Sequence, residues 1–96
     1  MANLKDKLSS EVAGIILRYV KIRKGRLTQM SEDSRINRRE LNVQGITQMR
    51  LHRLLRLIYA LHLELSYAEY MKMTDEIRDK ITGYAEDFDY TLLDEW

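Results

Sequence analysis

Apolar residues recur at helical spacing along nearly the whole chain, and no stretch shows the sustained alternation of a strand. The strongest helical segment is TQMRLHRLLRLIYALHLEL. Its apolar positions fall within an arc of roughly 120° at about 100° per residue. They are Leu51, Leu54, Leu55, Ile58 and Leu61. We predict that this face joins the core, that Thr47 caps the helix, and that Arg53 and Arg56 lie on the solvated side.

Two helices are predicted earlier in the chain. Ser9 or Ser10 can cap the first helix, and Gly25 is a natural stop for it after a basic last turn. Its core face carries Val12, Ile15, Ile16, Tyr19 and Val20. A shorter second helix is predicted from about Thr28 to Ser34.

A third helix is predicted to begin at Arg38. Asn37 can cap it, and Glu40 can reach back to the cap in capping-box fashion, with Ile36 as the apolar residue just before. Gly45 follows within a few residues, so this helix is expected to be short.

Residues 66–96 are predicted to form an acidic helical extension of a domain in residues 1–65. Ser66 and Glu69 make another capping-box pattern. Thr74 is a further helix start, and Gly83 is expected to end or interrupt the last helix. Five apolar residues either pack in the core or form a dimer interface: Tyr67, Tyr70, Met71, Met73 and Ile77. The tail EDFDYTLLDEW either docks its apolar residues on a surface or stays disordered until a partner arrives.

The composition agrees with a small all-α domain, for which we predict a compact bundle of about five or six helices. The chain has 96 residues, no cysteine and no proline. The lack of cysteine excludes a disulfide framework and fits a cytoplasmic protein. No stretch reaches membrane-spanning length, so no membrane partner is expected.

A net charge of +1 conceals a strong asymmetry along the chain. Residues 1–60 hold thirteen lysines and arginines against five acidic residues, a balance of +8. Residues 61–96 hold three against ten, a balance of −7. A basic body with an acidic tail is typical of nucleic-acid contact, although each end can equally be a solvated surface.

Catalytic and metal chemistry have little support in the sequence. His52 and His62 lie ten residues apart on one predicted helix, too far along it to share a metal, and no cysteine assists them. The carboxylates cluster in the tail without a nucleophile or histidine arranged for acid–base work, and no glycine-rich phosphate loop occurs. We therefore expect no enzyme activity, no cofactor and no metal.

Residues 10–65 resemble the lambda-repressor-like helix-turn-helix proteins, the Cro and XRE-type DNA-binding domains of bacteria and phages. A typical member has a basic first helix, then LTQ, then LAEKSGISRRTLS and a leucine-rich helix; here RKGRLTQ is followed by MSEDSRINRRELN and LHRLLRLIYALHLEL. The matching positions are Met30 and Ser31 at the helix crossing, Ile36 after the turn, Asn37 at the cap of the recognition helix and Leu41 at its buried position. The resemblance implies a dimeric transcriptional regulator that binds double-stranded DNA.

Arg35 takes the position at which this family usually has the turn glycine, where the backbone often needs a positive φ. Either the arginine adopts that left-handed conformation at some cost in strain, or the turn has another shape.

The arginine pair Arg38 and Arg39 is the strongest indication of a ligand. Cations in the first turn of a helix are unfavourable by a few tenths of a kcal/mol, up to roughly 1 kcal/mol. A phosphate or a guanine edge beside them would explain their presence, because the planar fork of arginine suits both. The alternative, which needs no ligand, is that they form surface ion pairs with Glu32, Asp33 or Glu40.

The residues expected to contact DNA are Arg38, Arg39 and Asn42 for the bases, Gln29, Arg35, Lys24 and Arg26 for the backbone, and Asn37 as the cap of the recognition helix. We therefore expect a DNA-binding transcriptional regulator, as a homodimer. The alternative is a protein-interaction module of the antitoxin or anti-repressor type, whose tail binds a basic partner through Phe88, Tyr90 and Trp96. In a third arrangement the tail lies across the basic surface and competes with DNA.

Overall fold

The computed structural model describes the backbone of residues 4–86 and the side chains of residues 7–83. This part of the chain is all-helical and has no strand, as predicted. Its five α-helices are α1 (Leu4–Ile22), α2 (Leu27–Ser34), α3 (Val43–Thr47), α4 (Leu51–Glu64) and α5 (Tyr67–Glu86). Two 3-10 turns, Lys24–Arg26 and Arg38–Glu40, precede α2 and α3.

Helix α1 packs against α3, α4 and α5, and α4 also packs against α2. Two ion pairs join α1 to α5, Glu11–Lys80 at 3.9 Å and Arg18–Glu76 at 2.6 Å, and Arg23, directly after α1, pairs with Glu69 of α5 at 3.2 Å. The residue numbers of these pairs increase along α1 as they decrease along α5, so the two helices are antiparallel. Surface pairs of this kind contribute at most about 1 kcal/mol each, so burial supplies most of the stability.

One apolar core runs through all five helices. The predicted face of α1 is entirely buried, which confirms it. Across the remaining elements the largest fully buried apolar side chains are Met30, Ile36, Ile46, Leu54, Leu57, Leu61 and Met73. Complete burial of such a side chain is worth about 1.5–3 kcal/mol relative to exposure. The positions on the loops, Ile36 and Leu41, tie the segment between α2 and α3 to this core.

The predicted core face of α4 is wrong at one position. Leu54 and Leu61 are buried, and Leu51 and Ile58 are half-buried, but Leu55 is 57% exposed. Leu57, which was not predicted, is completely buried instead. Since α4 packs against α1 on one side and α2 on another, its buried arc is turned toward Leu57 and away from Leu55.

Several predicted helix boundaries are also wrong. Helix α1 begins at Leu4, before both predicted caps, and Ser9 is buried within it. Thr47 is the last residue of α3, where its hydroxyl donates to the carbonyl oxygens of Val43 and Gln44 at 2.7 and 3.1 Å. The residue that caps α4 is Arg50, whose side chain makes no capping hydrogen bond.

The capping box at the start of α5 is confirmed. The Glu69 amide donates to Ser66 Oγ and the Ser66 amide donates to Glu69 Oε1, both at 3.2 Å. The predicted breaks at Thr74 and Gly83 are wrong, because α5 is continuous from Tyr67 to Glu86. The Thr74 hydroxyl donates to the Met71 carbonyl within the helix instead of starting a new one.

Packing explains why α5 is unbroken. Met73 and Ile77, on either side of Thr74, are both buried in the shared core, and one continuous helix places both of them there. Tyr70 packs half-buried against the same core, whereas Tyr67 and Met71 are exposed. The tail, with its Phe88, Tyr90 and Trp96, lies outside the described residues.

Candidate functional site

The chain reverses between α2 and the next turn through a left-handed residue at Arg35. Its φ of 58° makes it the only non-glycine residue with positive φ between residues 4 and 86. Ser34 Oγ accepts from the Ile36 amide at 3.3 Å, and Ser31 Oγ donates to the Ile36 carbonyl at 2.6 Å. Burial of Ile36 together with these bonds holds a conformation that costs an L-residue roughly 1–2 kcal/mol. The first of the two alternatives for Arg35 is therefore the one observed.

The predicted third helix is divided in two. Residues Arg38–Glu40 form one 3-10 turn, and α3 begins only at Val43. Asn37 does cap the turn, since its Oδ1 accepts from the Arg39 amide at 2.9 Å. Arg38 and Arg39 thus lie on a single 3-10 turn and not in the first turn of an α-helix, for which a dipole penalty was expected.

Asn42 and Gly45 explain the division. The Asn42 side chain accepts from the Gly45 amide at 2.8 Å, which caps α3, and donates to the Arg39 carbonyl at 2.6 Å. Gly45 lies inside α3 and does not end it, but α3 is short, as predicted. A Cβ there would overlap the Glu40 carbonyl oxygen and lie 2.8 Å from its carbon. Only glycine lets the 3-10 turn pack this closely on α3.

Glu40 has a partner on α4 that the sequence analysis did not predict. Both of its carboxylate oxygens accept from Arg53, at 2.8 Å each. These hydrogen bonds are the main reason why the pKa of Glu40 is lowered from its usual value. The Asn37 backbone makes a smaller contribution in the same direction.

Arg56 binds the chain just before the 3-10 turn that carries Glu40. Its Nε donates to the Ser34 carbonyl at 3.0 Å and its Nη2 to the Arg35 carbonyl at 2.8 Å. Arg56 is exposed, as predicted, and Arg53 is half-buried, and both also bind the segment that precedes α3. Their spacing of three residues places them on one side of α4, which is the signal in the sequence that could have suggested a shared task.

The exposed arginines Arg38 and Arg39 have no carboxylate partner among the described side chains. Of the three acids that could have paired with them, Glu40 is held by Arg53, and Asp33 accepts from Gln29 at 3.1 Å. No ion pair of Glu32 is found in residues 7–83 either. The surface ion pairs that would have explained this arginine pair are absent from this part of the chain.

The remaining predicted site residues divide into free and engaged side chains. Lys24 and Arg35 are exposed, and their side chains make no ion pair within the described part of the chain. Arg26 is bound to Glu64 by two hydrogen bonds of 2.9 and 3.3 Å, which are the main cause of a lowered pKa of Glu64. Gln29 is engaged with Asp33.

Three residues near the arginines were not predicted. Arg50 is exposed between α3 and α4, and its side chain makes no ion pair in the described residues. Gln44 and Gln48 are exposed and, with Arg39, line an open depression of about 340 Å³. Gln44 and Gln48 are four residues apart, so the sequence could have predicted that they lie on the same side of a helix.

A second open depression, of about 440 Å³, lies on the other side of Arg35. Arg56, Leu55 and Tyr59 line it together with Arg35. Leu55 and Tyr59 are each 57% exposed and Leu63 is 52% exposed, so an apolar stripe follows the outer side of α4. We call these three residues the outer stripe of α4.

Other chemistry is limited in the part of the chain that the structure describes. His52 is exposed, and the His62 ring lies 4.7 Å from the Tyr70 ring between centroids. No group of three or more histidine, cysteine and acidic side chains among these residues is placed to hold a metal ion. No helix within residues 4–86 combines the length and apolar character that a membrane crossing requires.

Comparison with known proteins gives no match: no protein-family model, no curated protein and no solved structure matches the chain.

Proposed function

We propose that this protein is a DNA-binding regulator that contacts duplex DNA through a helix-turn-helix. In it α2 is the supporting helix, Arg35 forms the turn, and residues 38–48 are the reading segment. The observation that carries the proposal is the pair Arg38 and Arg39, which lies shortly after the left-handed turn, is exposed and has no carboxylate partner among the described side chains. Unpaired arginine forks suit phosphate oxygens and the guanine edge in the major groove.

The charge of the reading segment supports the same function. Between Asp33 and Glu64 the sequence has a single acidic residue, Glu40, and its charge is matched by Arg53. Phosphate groups approaching the reading segment therefore meet an excess of positive charge, to which Arg35, just before it in the chain, also contributes. Such contacts set the position of a protein on DNA and do not read sequence.

Base reading in this proposal depends on the arginines and on the exposed side of α3. Gln44 and Gln48 lie there beside Arg39. Glutamine can pair with the adenine edge through two hydrogen bonds, as arginine can with guanine. Asn42, which was expected to read a base, has both ends of its amide bonded to the backbone and serves to hold α3.

The test is fluorescence anisotropy with duplex DNA at two salt concentrations. We expect steeply salt-dependent binding by the native chain and a loss of at least about tenfold in the double variant Arg38→Ala, Arg39→Ala, since each good base contact is worth about 1–3 kcal/mol. The matched control is Lys72→Ala, Arg78→Ala, which removes two exposed cations from α5 and should change binding little. No binding at low salt, or an equal loss in both double variants, would refute the proposal.

The outer stripe of α4 offers a surface for the homodimer expected of such a regulator. Three large apolar side chains exposed on one side of a helix are typical of a protein contact. We take the occupant to be a second copy of the chain, which agrees with the expected homodimer.

Competition by the tail is tested by deleting residues 87–96, because a cut after Met73 would remove Ile77 from the core. Tighter DNA binding by that truncated chain would support competition, and unchanged binding would exclude it.

A further inference from the structure

We infer that Arg53 is a positioning residue: by holding Glu40, it keeps the one carboxylate of the reading segment away from Arg38 and Arg39. Its effect on DNA binding rests on the proposed function. The pairing itself does not, because it is visible in the structure of the chain alone.

Glu40 is the natural partner of the two exposed arginines. It follows Arg39 directly in the sequence and belongs to the same 3-10 turn. Free side chains this close in sequence and opposite in charge attract each other at the protein surface. A pair between Glu40 and either arginine would occupy the guanidinium that the proposed function needs.

The contact with Arg53 prevents that pair. The two terminal nitrogens of Arg53 face the two oxygens of Glu40 at 2.8 Å each, the fork-to-fork arrangement that is the strongest for this pair of groups. Arg39, Glu40 and Arg53 line the same open depression. Arg53 thus neutralises the carboxylate inside that depression and leaves Arg39 beside it without a partner among the described side chains.

Arg56 makes the placement of Glu40 possible. By donating to the carbonyl oxygens of Ser34 and Arg35, it attaches the left-handed turn to α4 at one end of the segment. Arg53, one turn earlier on α4, attaches the other end at Glu40. Arg38 and Arg39 lie between these two attachments, so α4 sets both where they stand and which charges surround them.

The experiment is a double-mutant cycle of Arg53 and Glu40, with duplex DNA binding at low salt as the first readout. We expect Arg53→Ala to weaken binding by about tenfold, the value of one charge-assisted hydrogen bond made by a guanidinium that Glu40 now occupies. Glu40→Gln should bind at least as tightly as the native chain. Arg53→Ala, Glu40→Gln should recover to about the level of Glu40→Gln, since no carboxylate remains to be held away.

Other roles of Arg53 give other patterns. If Arg53 touched DNA itself, the double variant would stay as weak as Arg53→Ala. If the pair only stabilised the fold, Glu40→Gln and Arg53→Ala would weaken binding alike and the double variant would not recover. Either pattern overturns the inference. Arg53→Lys keeps a cation beside Glu40 but loses the two-bond fork, so its binding should fall between that of the native chain and that of Arg53→Ala, and it also serves if Arg53→Ala fails to fold.

A second readout needs no DNA. Titration of the Glu40 carboxyl by NMR should show a low pKa that persists in Arg53→Ala, because Arg38 or Arg39 takes over the carboxylate. In the triple variant that lacks Arg38, Arg39 and Arg53, the pKa should return to the ordinary range. Return to that range in Arg53→Ala alone would refute the inference even if the chain binds DNA. If the native chain fails to bind DNA, the proposed function fails and this titration still decides the pairing.

Discussion

Arg53 and Glu40 face each other between α4 and the 3-10 turn at residues 38–40, with both nitrogen–oxygen distances at 2.8 Å. The contact spans 13 residues of sequence and joins the helix that follows the reading segment to the segment itself. Both side chains keep partial access to solvent, at 30% and 42%, so the pair contributes more to the placement of charge than to folding.

The approach of Glu40 to α3 makes Gly45 a sensitive position. Gly45→Ala should lower the free energy of unfolding by about 1–3 kcal/mol, because the new Cβ meets the Glu40 carbonyl group, which is backbone and cannot turn away. Urea denaturation measures the change. Gly14→Ala is the control, since nothing lies within 4 Å of a Cβ at that position of α1, and it should raise stability by roughly 0.5–1 kcal/mol. Equal stability of Gly45→Ala and the native chain would show that the turn does not press on α3.

The left-handed conformation of Arg35 allows a comparison of two variants that remove the same charge. Arg35→Gly should be more stable than Arg35→Ala by about 1 kcal/mol, because glycine adopts positive φ without the steric cost of a Cβ. Arg56 can donate to the residue 35 carbonyl in both. Thermal or urea unfolding gives the difference, and DNA binding should weaken to the same extent in the two variants. Alanine as stable as glycine would mean that the turn has another shape in solution.

The ion pair between Arg26 and Glu64 should make stability depend on pH. Arg26 lowers the pKa of Glu64 below its ordinary 4.5 in the folded chain, so the unfolded chain takes up the proton more readily. The stabilisation is therefore complete at neutral pH and is lost as the pH falls below 4.5 through the folded pKa.

Urea denaturation at neutral pH and at about pH 3.5 tests this dependence. Glu64→Gln should reduce the difference in unfolding free energy between the two conditions. Glu32→Gln, at an exposed residue of α2, is the matched control and should leave the difference in place. An unchanged difference in Glu64→Gln would assign the acid sensitivity to other carboxylates.

The outer stripe of α4 predicts self-association. Tyr59 lies at its centre, so Tyr59→Glu should convert a dimer to a monomer by placing a charge in an apolar contact. Sedimentation equilibrium gives the mass of each species. Ile81→Glu, which changes an exposed apolar residue of α5 in the same way, should leave the dimer intact. A native chain that is monomeric at high concentration, or dissociation by both variants, would remove the stripe as the interface.

The sequence by itself determined the features that arise from neighbours along the chain. The all-α class, the apolar face of α1, the cap at Asn37 and the capping box of Ser66 with Glu69 all follow from the spacing of residues two to four apart. Such residues lie within one helix or one turn, so residue type and spacing are enough to predict these features. The position of Arg38 and Arg39 directly after the Asn37 cap could be predicted for the same reason.

Tertiary structure alone decided which side of α4 is buried, where the reading segment divides and which side chains Arg53 and Arg56 bind. Leu55 and Leu57 are alike in the sequence, and only the positions of α1 and α2 turn one outward and the other inward. Likewise, Glu40 had a capping role available nearby, but a guanidinium 13 residues away offers two hydrogen bonds at once. Such choices depend on elements that meet only in the folded chain, so no local pattern records them.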